Sequence, residues 1–109
     1  MTVGNAIQAL GWLDTWGGKF TQAVAYTGPV LYVPGTGDGP LDPKIFGCPE
    51  ALMFADGSMS QSGNYFVRLQ PKQNGYGPWY VRWFVTSTGL EAGAINLSGE
   101  TVKLWAFGV

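Results

Sequence analysis

The residues that most often carry out chemistry in proteins are scarce in this chain of 109 residues. It has no histidine, and Cys48 is its only cysteine. Without histidine there is no imidazole general base, and neither the Ser-His-Asp nor the Cys-His arrangement of a hydrolase can form. The ligands of an ordinary structural zinc site are missing as well. We expect Cys48, which precedes Pro49, to be a small buried hydrophobic residue rather than a reactive thiol.

The carboxylates are the remaining candidates for acid–base or metal chemistry. The seven carboxylates are Asp14, Asp38, Asp42, Glu50, Asp56, Glu91 and Glu100. Most of them stand beside Gly, Pro, Ser or Thr. Two carboxylates would be enough for glycoside hydrolysis, but these turn-like settings favour structural roles. In the stretch GTGDGPLD, Asp38 and Asp42 lack the spacing of an EF-hand, and no Gly-Lys-Ser/Thr of a phosphate-binding loop follows. The sequence therefore predicts no enzyme, no metal site and no cofactor.

The strongest pattern is a pair of aromatic strands, 64–70 and 79–86. Successive side chains of a strand point to opposite faces. One face of the second strand carries Trp79, Val81 and Trp83, which suit a core. If the two strands pair across the turn at 71–78, their other faces coincide and bring together Phe66, Arg68, Tyr80, Arg82 and Phe84. The last strand shows the same pattern, because Trp105 and Phe107 lie on the face opposite its core-facing apolar residues.

Three explanations for these second faces stay open. In the first, the faces are buried within the chain and the arginine heads reach the rim of the sheet. In the second, they form a protein–protein interface, which is typically rich in aromatic residues and Arg. In the third, they form a platform on which the rings of a ligand stack. The predicted interface or ligand-platform residues are Phe66, Arg68, Tyr80, Arg82, Phe84, Trp105 and Phe107.

The elements that must position these residues are predicted to be short β strands. Strand-like runs between Gly and Pro punctuation cover 20–26, 30–33, 51–55, 58–62, 64–70, 79–86, 94–97 and 100–107. Tight turns are predicted at Asp56-Gly57, Asn74-Gly75 and Ser98-Gly99, the last closing a terminal hairpin. We expect one all-β domain over 1–109, an antiparallel sandwich or small barrel of about seven or eight strands.

Two segments depart from this strand pattern. Residues 1–18 are predicted to be an N-terminal arm or a short helix, because Ala6, Leu10 and Leu13 have helical spacing although Gly4 and Gly11 weaken it. Residues 34–49 contain four prolines and four glycines. They are predicted to form a long irregular loop, and loops of this length often make contacts.

Composition and charge restrict the class of protein. Charged residues make up 12%, against roughly 25% in ordinary soluble domains, and such a surface is poorly protected against association. A net charge of −1 with scattered Lys and Arg argues against a nucleic-acid binder. No apolar run is long enough for a membrane helix, and the start MTVGNAIQALGWLDTW lacks the regions of a secretory signal. We expect synthesis in the cytoplasm and no membrane partner.

These features predict a structural or assembly protein. By analogy of type, small phage capsid, decoration (cement) and tail proteins are short and β-rich, so a virion component in a homo-oligomer or among capsid or tail proteins is the favoured hypothesis. The arm and the loop 34–49 would then reach across neighbours. The alternative is a lectin-like, carbohydrate-binding module that stacks a sugar on Trp79, Tyr80, Arg82, Trp83 and Tyr76.

Overall fold

The chain is built from β strands arranged in two antiparallel sheets. The structure, a computed structural model, describes residues 5–9, 14–16, 19–48, 50–73 and 76–108. Its strands are β1 (Asn5–Ala9), β2 (Asp14–Trp16), β3 (Lys19–Thr27), β4 (Leu52–Gly57), β5 (Tyr65–Gln73), β6 (Tyr76–Val85) and β7 (Thr101–Gly108), and a 3₁₀ helix spans Pro43–Phe46. The all-β prediction is confirmed. None of the described helical residues forms a segment long and apolar enough to cross a membrane.

The first sheet has the strand order β1-β3-β7-β4, and β2 also pairs with β3. The second sheet consists of β5 and β6. The predicted strands 20–26, 51–55, 64–70, 79–86 and 100–107 correspond to β3 to β7. The prediction of strands in these five runs is therefore confirmed, with ends that differ by a few residues.

Residues 1–18 were predicted to be an arm or a short helix. The prediction of a helix is wrong for the part of this segment that the structure describes. Asn5–Ala9 is a strand that pairs with β3 between Val24 and Thr27, with an irregularity between Ala6 and Gln8. The backbone edge of β3 offers this segment a ladder of hydrogen bonds. An isolated helix of this length is not stable in water, because too few hydrogen bonds offset the cost of forming its first turn. Leu10 and Leu13, on which the helical spacing depended, lie outside the described residues.

The predicted strands 30–33 and 94–97 are not regular strands, and the predicted hairpin of 94–97 with 100–107 does not form. The two segments instead bond to each other: Tyr32 N–H donates to the Ile95 carbonyl at 3.0 Å, and Leu97 N–H to the Pro29 carbonyl at 2.9 Å. They continue the β3–β7 pairing in an irregular form, because a proline on either side of 30–33 removes backbone donors. At the start of the turn, the Asn96 side chain accepts the Ser98 N–H.

The tight turn predicted at Asp56-Gly57 and the strand predicted at 58–62 are also wrong. Residues 56 and 57 belong to β4, and the chain reverses later, where Gly63 N–H donates to the Ser60 carbonyl at 2.9 Å. Segment 58–61 bonds to both sheets. Ser58 N–H donates to the Lys103 carbonyl of β7 at 2.9 Å, and Ser60 N–H donates to the Tyr65 carbonyl of β5 at 2.7 Å. This segment therefore joins the two sheets through backbone hydrogen bonds.

Gly57 is required by packing rather than by a turn. A Cβ atom built at Gly57 would overlap the Val67 side chain and would lie 2.8 Å from Cδ2 of Leu104. Both side chains are buried. The close approach of β4 to the core at this point therefore leaves no room for a side chain.

Buried side chains from both sheets form one hydrophobic cluster. Its largest fully buried members are Trp83, Tyr26, Tyr32, Phe46, Leu97 and Leu104. Trp83 packs edge-to-face against Tyr65, with ring centroids 6.4 Å apart. Its indole N–H has no acceptor among the described residues. The contribution of Trp83 to stability therefore comes from the packing of its rings.

The segment predicted as a long loop is irregular but packed. Within it, Asp42 caps the 3₁₀ helix by accepting the Lys44 N–H at 3.0 Å. Leu41, Phe46 and Cys48 are buried in the core cluster. The prediction that Cys48 is a buried hydrophobic residue is confirmed, and burial raises the pKa of its thiol. Pro49 lies outside the described residues.

Candidate binding surface of the second sheet

The second sheet brings the predicted aromatic and arginine residues together. β5 and β6 pair so that Phe66 lies opposite Phe84 and Arg68 opposite Arg82. The pairing across the turn region, on which the shared face depended, is therefore present. The strands run further into 71–78 than expected, and Asn74 and Gly75 lie outside the described residues. On the reverse face Val81 and Trp83 are fully buried.

Arg82 is held by a carboxylate of its own chain. Its Nε donates to Oε2 of Glu91 at 2.8 Å, and its Nη2 donates to Oε1 at 2.9 Å. The hydrogen bonds from Arg82 lower the pKa of Glu91 to about 2, although partial burial of the carboxylate opposes this. The same pairing raises the pKa of Arg82. This two-pronged geometry is the strong form of an ion pair.

Tyr32 and the backbone of Gly35 complete the network around Glu91. The Tyr32 hydroxyl donates to Oε2 of Glu91 at 2.6 Å and accepts the Trp83 N–H at 3.1 Å. Gly35 N–H lies 3.0 and 3.1 Å from the two carboxylate oxygens. Burial, together with the bond to Glu91, raises the pKa of Tyr32 to about 12. The network ties two irregular segments to the centre of β6.

The loop 34–49 covers Tyr80. Asp38 forms an antiparallel bridge with Val81, through N–H to carbonyl distances of 2.8 and 2.7 Å. A Cβ at Gly39 would lie 3.0 Å from Cδ2 of Tyr80, and Gly37 has a φ of +92°, in the region that favours glycine. The free edge of β6 is thus occupied by the chain itself, and Tyr80 is buried beneath this loop.

The rest of this face is more open. Phe66 and Phe84 stack with ring centroids 5.2 Å apart and an interplanar angle of 16°, and both are half-buried. Met59, which bridges to Phe66 on the neighbouring segment, is 54% exposed. Arg68 is exposed, and its Nε lies 3.2 Å from Oδ1 of Asp56. Such an exposed pair contributes little to stability.

A cleft lies beside Arg82. It has a volume of about 260 Å³ and is lined by Gly35, Thr36, Gln70, Pro71, Lys72, Tyr80 and Arg82. The Arg82 Nη1 donates to Oε1 of Gln70 at 3.1 Å across its wall. The cleft therefore combines a guanidinium, an amide and an ammonium group on one side of the second sheet.

Trp105 and Phe107 lie on the first sheet and not in this arrangement. In the register of β7, Phe107 is opposite Phe54 and Trp105 is opposite Asp56 of β4. Trp105 is 42% exposed, Phe54 55% and the adjacent Met53 51%. The seven predicted residues therefore lie on two separate faces. Phe54 and Met53 were not among them, because the run 51–55 shows no alternation from which an outer face could be predicted.

The acidic residues are mostly engaged in structural contacts. Asp38 is fully buried and accepts the Tyr26 hydroxyl at 2.8 Å, while Asp42 caps the 3₁₀ helix. Among the residues that the structure describes, no three acidic or cysteine side chains come together as a metal site would require. The site thus offers hydrogen-bond donors and aromatic surface.

The comparisons with known proteins add no relative. Neither the family models, nor the curated proteins, nor the solved structures gave a match to this chain. The two faces and the cleft are therefore the features from which a function can be inferred.

Proposed function

We propose that this chain is a non-enzymatic structural protein that packs against neighbouring subunits through the outer face of its first sheet. The observation that carries the proposal is the exposure of Trp105 on β7 and of Phe54 on β4, which share one side of the first sheet in the register of the two strands. The exposed Met53 adjoins Phe54 in sequence, and the Phe54 ring also contacts Trp79 edge-to-face. A monomeric protein rarely leaves large apolar side chains grouped in this way, and such groups mark interaction surfaces.

The composition of this face fits a second copy of the chain. Ala23 lies opposite Trp105 on β3, so a bulky ring stands beside a small residue. In a twofold pair each Trp105 can pack on the partner's small surface, because the same patch is used by both copies. Lys103 precedes Trp105 by two residues on β7 and shares its face, so its charge is available to a carboxylate of the partner. Asp56, opposite Trp105 on β4, is already paired with Arg68.

The finer architecture is part of the same proposal. We take residues 1–109 to be one domain in which the two sheets form a sandwich, with the N-terminal strands as an arm along β3. The shared core cluster and the hydrogen bonds of segment 58–61 to both sheets support this arrangement.

The proposed setting is a virion, with the chain made in the cytoplasm and built into the particle as a capsid, decoration or tail component. Three features of the chain support this setting: it is short and β-rich, only 12% of its residues are charged, and one face exposes aromatic side chains. Quantitative mass spectrometry of purified particles tests it. A fixed ratio of this chain to the major coat protein is expected, and its removal by a mild salt wash in variable amounts would contradict the proposal.

The interface is tested by sedimentation velocity over a wide range of concentrations. Trp105→Ser is expected to weaken self-association at least about 30-fold, because a central Trp in an interface is worth about 2 kcal/mol or more. Leu90→Ser is the matched control, since Leu90 is 69% exposed but lies outside the first sheet. A wild-type chain that stays monomeric throughout, or equal effects of the two variants, would contradict the proposed interface.

A carbohydrate-binding module is the second candidate. Trp79 and Trp83 are buried and unavailable for stacking, and nothing is described of the Tyr76 side chain. The observation that favours this function is the cleft beside Tyr80 and Arg82.

A further inference from the structure

The cleft of the second sheet is the right size for one small ring. Its volume is about 260 Å³, slightly below the roughly 300–1,000 Å³ of pockets that hold drug-sized ligands. Its walls come from the exposed loop residues Gly35 and Thr36 and from the middle of the β5–β6 ladder. Because the network around Glu91 fixes both Gly35 and Arg82, these walls are held in place without a ligand.

The polar groups of the cleft are mostly donors. A guanidinium has five N–H donors, and Arg82 uses one each from Nε and Nη2 for Glu91 and one from Nη1 for Gln70. At most two N–H groups therefore remain, because the Tyr32 hydroxyl also lies beside the guanidinium. The Lys72 ammonium is exposed and has no carboxylate partner within the described part of the chain. A ligand rich in acceptor oxygens suits this lining.

The charge of the cleft suits a single negative charge. Arg82 is neutralised by Glu91, at 2.8 Å. Lys72 is then left as one unmatched positive charge. A carboxylate balances this charge, whereas a doubly charged phosphate exceeds it. Arg68 adds nothing here, because it lies outside the cleft lining and pairs with Asp56.

We propose that this cleft binds a sugar acid, a single hydroxylated ring that carries one carboxylate. The carboxylate pairs with Lys72, and ring hydroxyls accept from the free Arg82 donors and bond with the Thr36 hydroxyl. The apolar C–H face of the ring lies against Pro71. This inference rests on the second candidate function, carbohydrate binding, and is independent of the proposed interface, because the cleft lies on the second sheet and the interface on the first.

The test is a titration of the ¹⁵N-labelled full chain with glucuronate, followed by ¹H–¹⁵N correlation spectra. We expect saturable shifts of the Gly35, Thr36, Gln70 and Lys72 amides. Glucose, which has the same ring without the charge, and inorganic phosphate, which has charge without the ring, are expected to bind more weakly. Equal shifts with glucose, tighter binding of phosphate, or no shifts at these amides would each overturn the proposal.

Variants locate the charge that recognises the carboxylate. Lys72→Gln is expected to weaken glucuronate binding about fivefold, the effect of one exposed charge pair, and Lys72→Glu to abolish it. Lys44→Gln is the matched control, because Lys44 is also exposed and lies in the 3₁₀ helix, outside the lining of the cleft. If Lys72→Gln and Lys44→Gln bind glucuronate as tightly as the wild type, the carboxylate does not pair with Lys72 and the proposal fails.

Discussion

Replacing Glu91 with glutamine tests the network that fixes the second sheet. The substitution keeps an oxygen for the Tyr32 hydroxyl and the Gly35 N–H but removes the charge that pairs with Arg82. Pairing lowers the pKa of Glu91 from 4.5 to about 2. At about 1.4 kcal/mol per pKa unit, this corresponds to at most roughly 4 kcal/mol of stability. Because the Glu91 side chain is 21% exposed, screening by water reduces our expectation to about 2 kcal/mol.

The pH dependence follows from the direction of the pKa change. A carboxylate whose pKa is lowered by folding stabilises the folded state above its unfolded pKa, and this stabilisation is lost as the pH falls through the folded value. The difference in unfolding free energy between wild type and Glu91→Gln should therefore be constant at neutral pH. It should shrink between pH 4.5 and about pH 2.

Urea unfolding of both proteins at several pH values measures this difference. With an m-value of about 1.5–2 kcal/mol/M, the midpoint of Glu91→Gln should lie roughly 1 M below that of the wild type at neutral pH. Glu50→Gln is the control, because Glu50 is exposed and has no ion pair among the described residues. Equal midpoints for Glu91→Gln and wild type at neutral pH, or a difference that persists near pH 2, would refute the reasoning.

Two further predictions concern the core. Gly57→Ala should destabilise the protein by about 1–3 kcal/mol, since its Cβ would overlap Val67, whereas Gly99→Ala, with nothing within 4 Å, should change stability by less than about 0.5 kcal/mol. Thermal unfolding of both variants checks this, and equal melting temperatures would contradict the packing argument. Cys48 is fully buried, and burial raises the pKa of its thiol. It should therefore react with a thiol reagent only as fast as the protein unfolds. Rapid reaction of the folded protein would contradict the burial of Cys48 within the loop 34–49.

The parts of the fold that could be predicted from the sequence are those fixed by local patterns. The alternation in 64–70 and 79–86, with a turn between them, was enough to predict that Phe66, Arg68, Tyr80, Arg82 and Phe84 share a face. Pairing within one hairpin determines this result, because strand residues directly opposite each other lie on the same side.

The parts that could not be predicted depend on contacts distant in sequence. Tyr32 and Glu91 are 59 residues apart, and nothing near either residue indicates that they meet at Arg82. Segments 30–33 and 94–97 have strand-like composition, but their partners are each other rather than their sequence neighbours. The glycine of Asp56-Gly57 matched a turn signal, although core packing explains it.

Oxidative footprinting of two methionines tests the central claim, assembly through the first sheet, most directly. Met53 and Met59 are 51% and 54% exposed, but only Met53 lies beside Phe54 in β4, while Met59 adjoins the second sheet. On association at high concentration, we predict that oxidation of Met53 and Trp105 falls while oxidation of Met59 is unchanged. Unchanged oxidation of Met53 and Trp105 in the associated fraction, or protection of Met59 instead, would contradict the account.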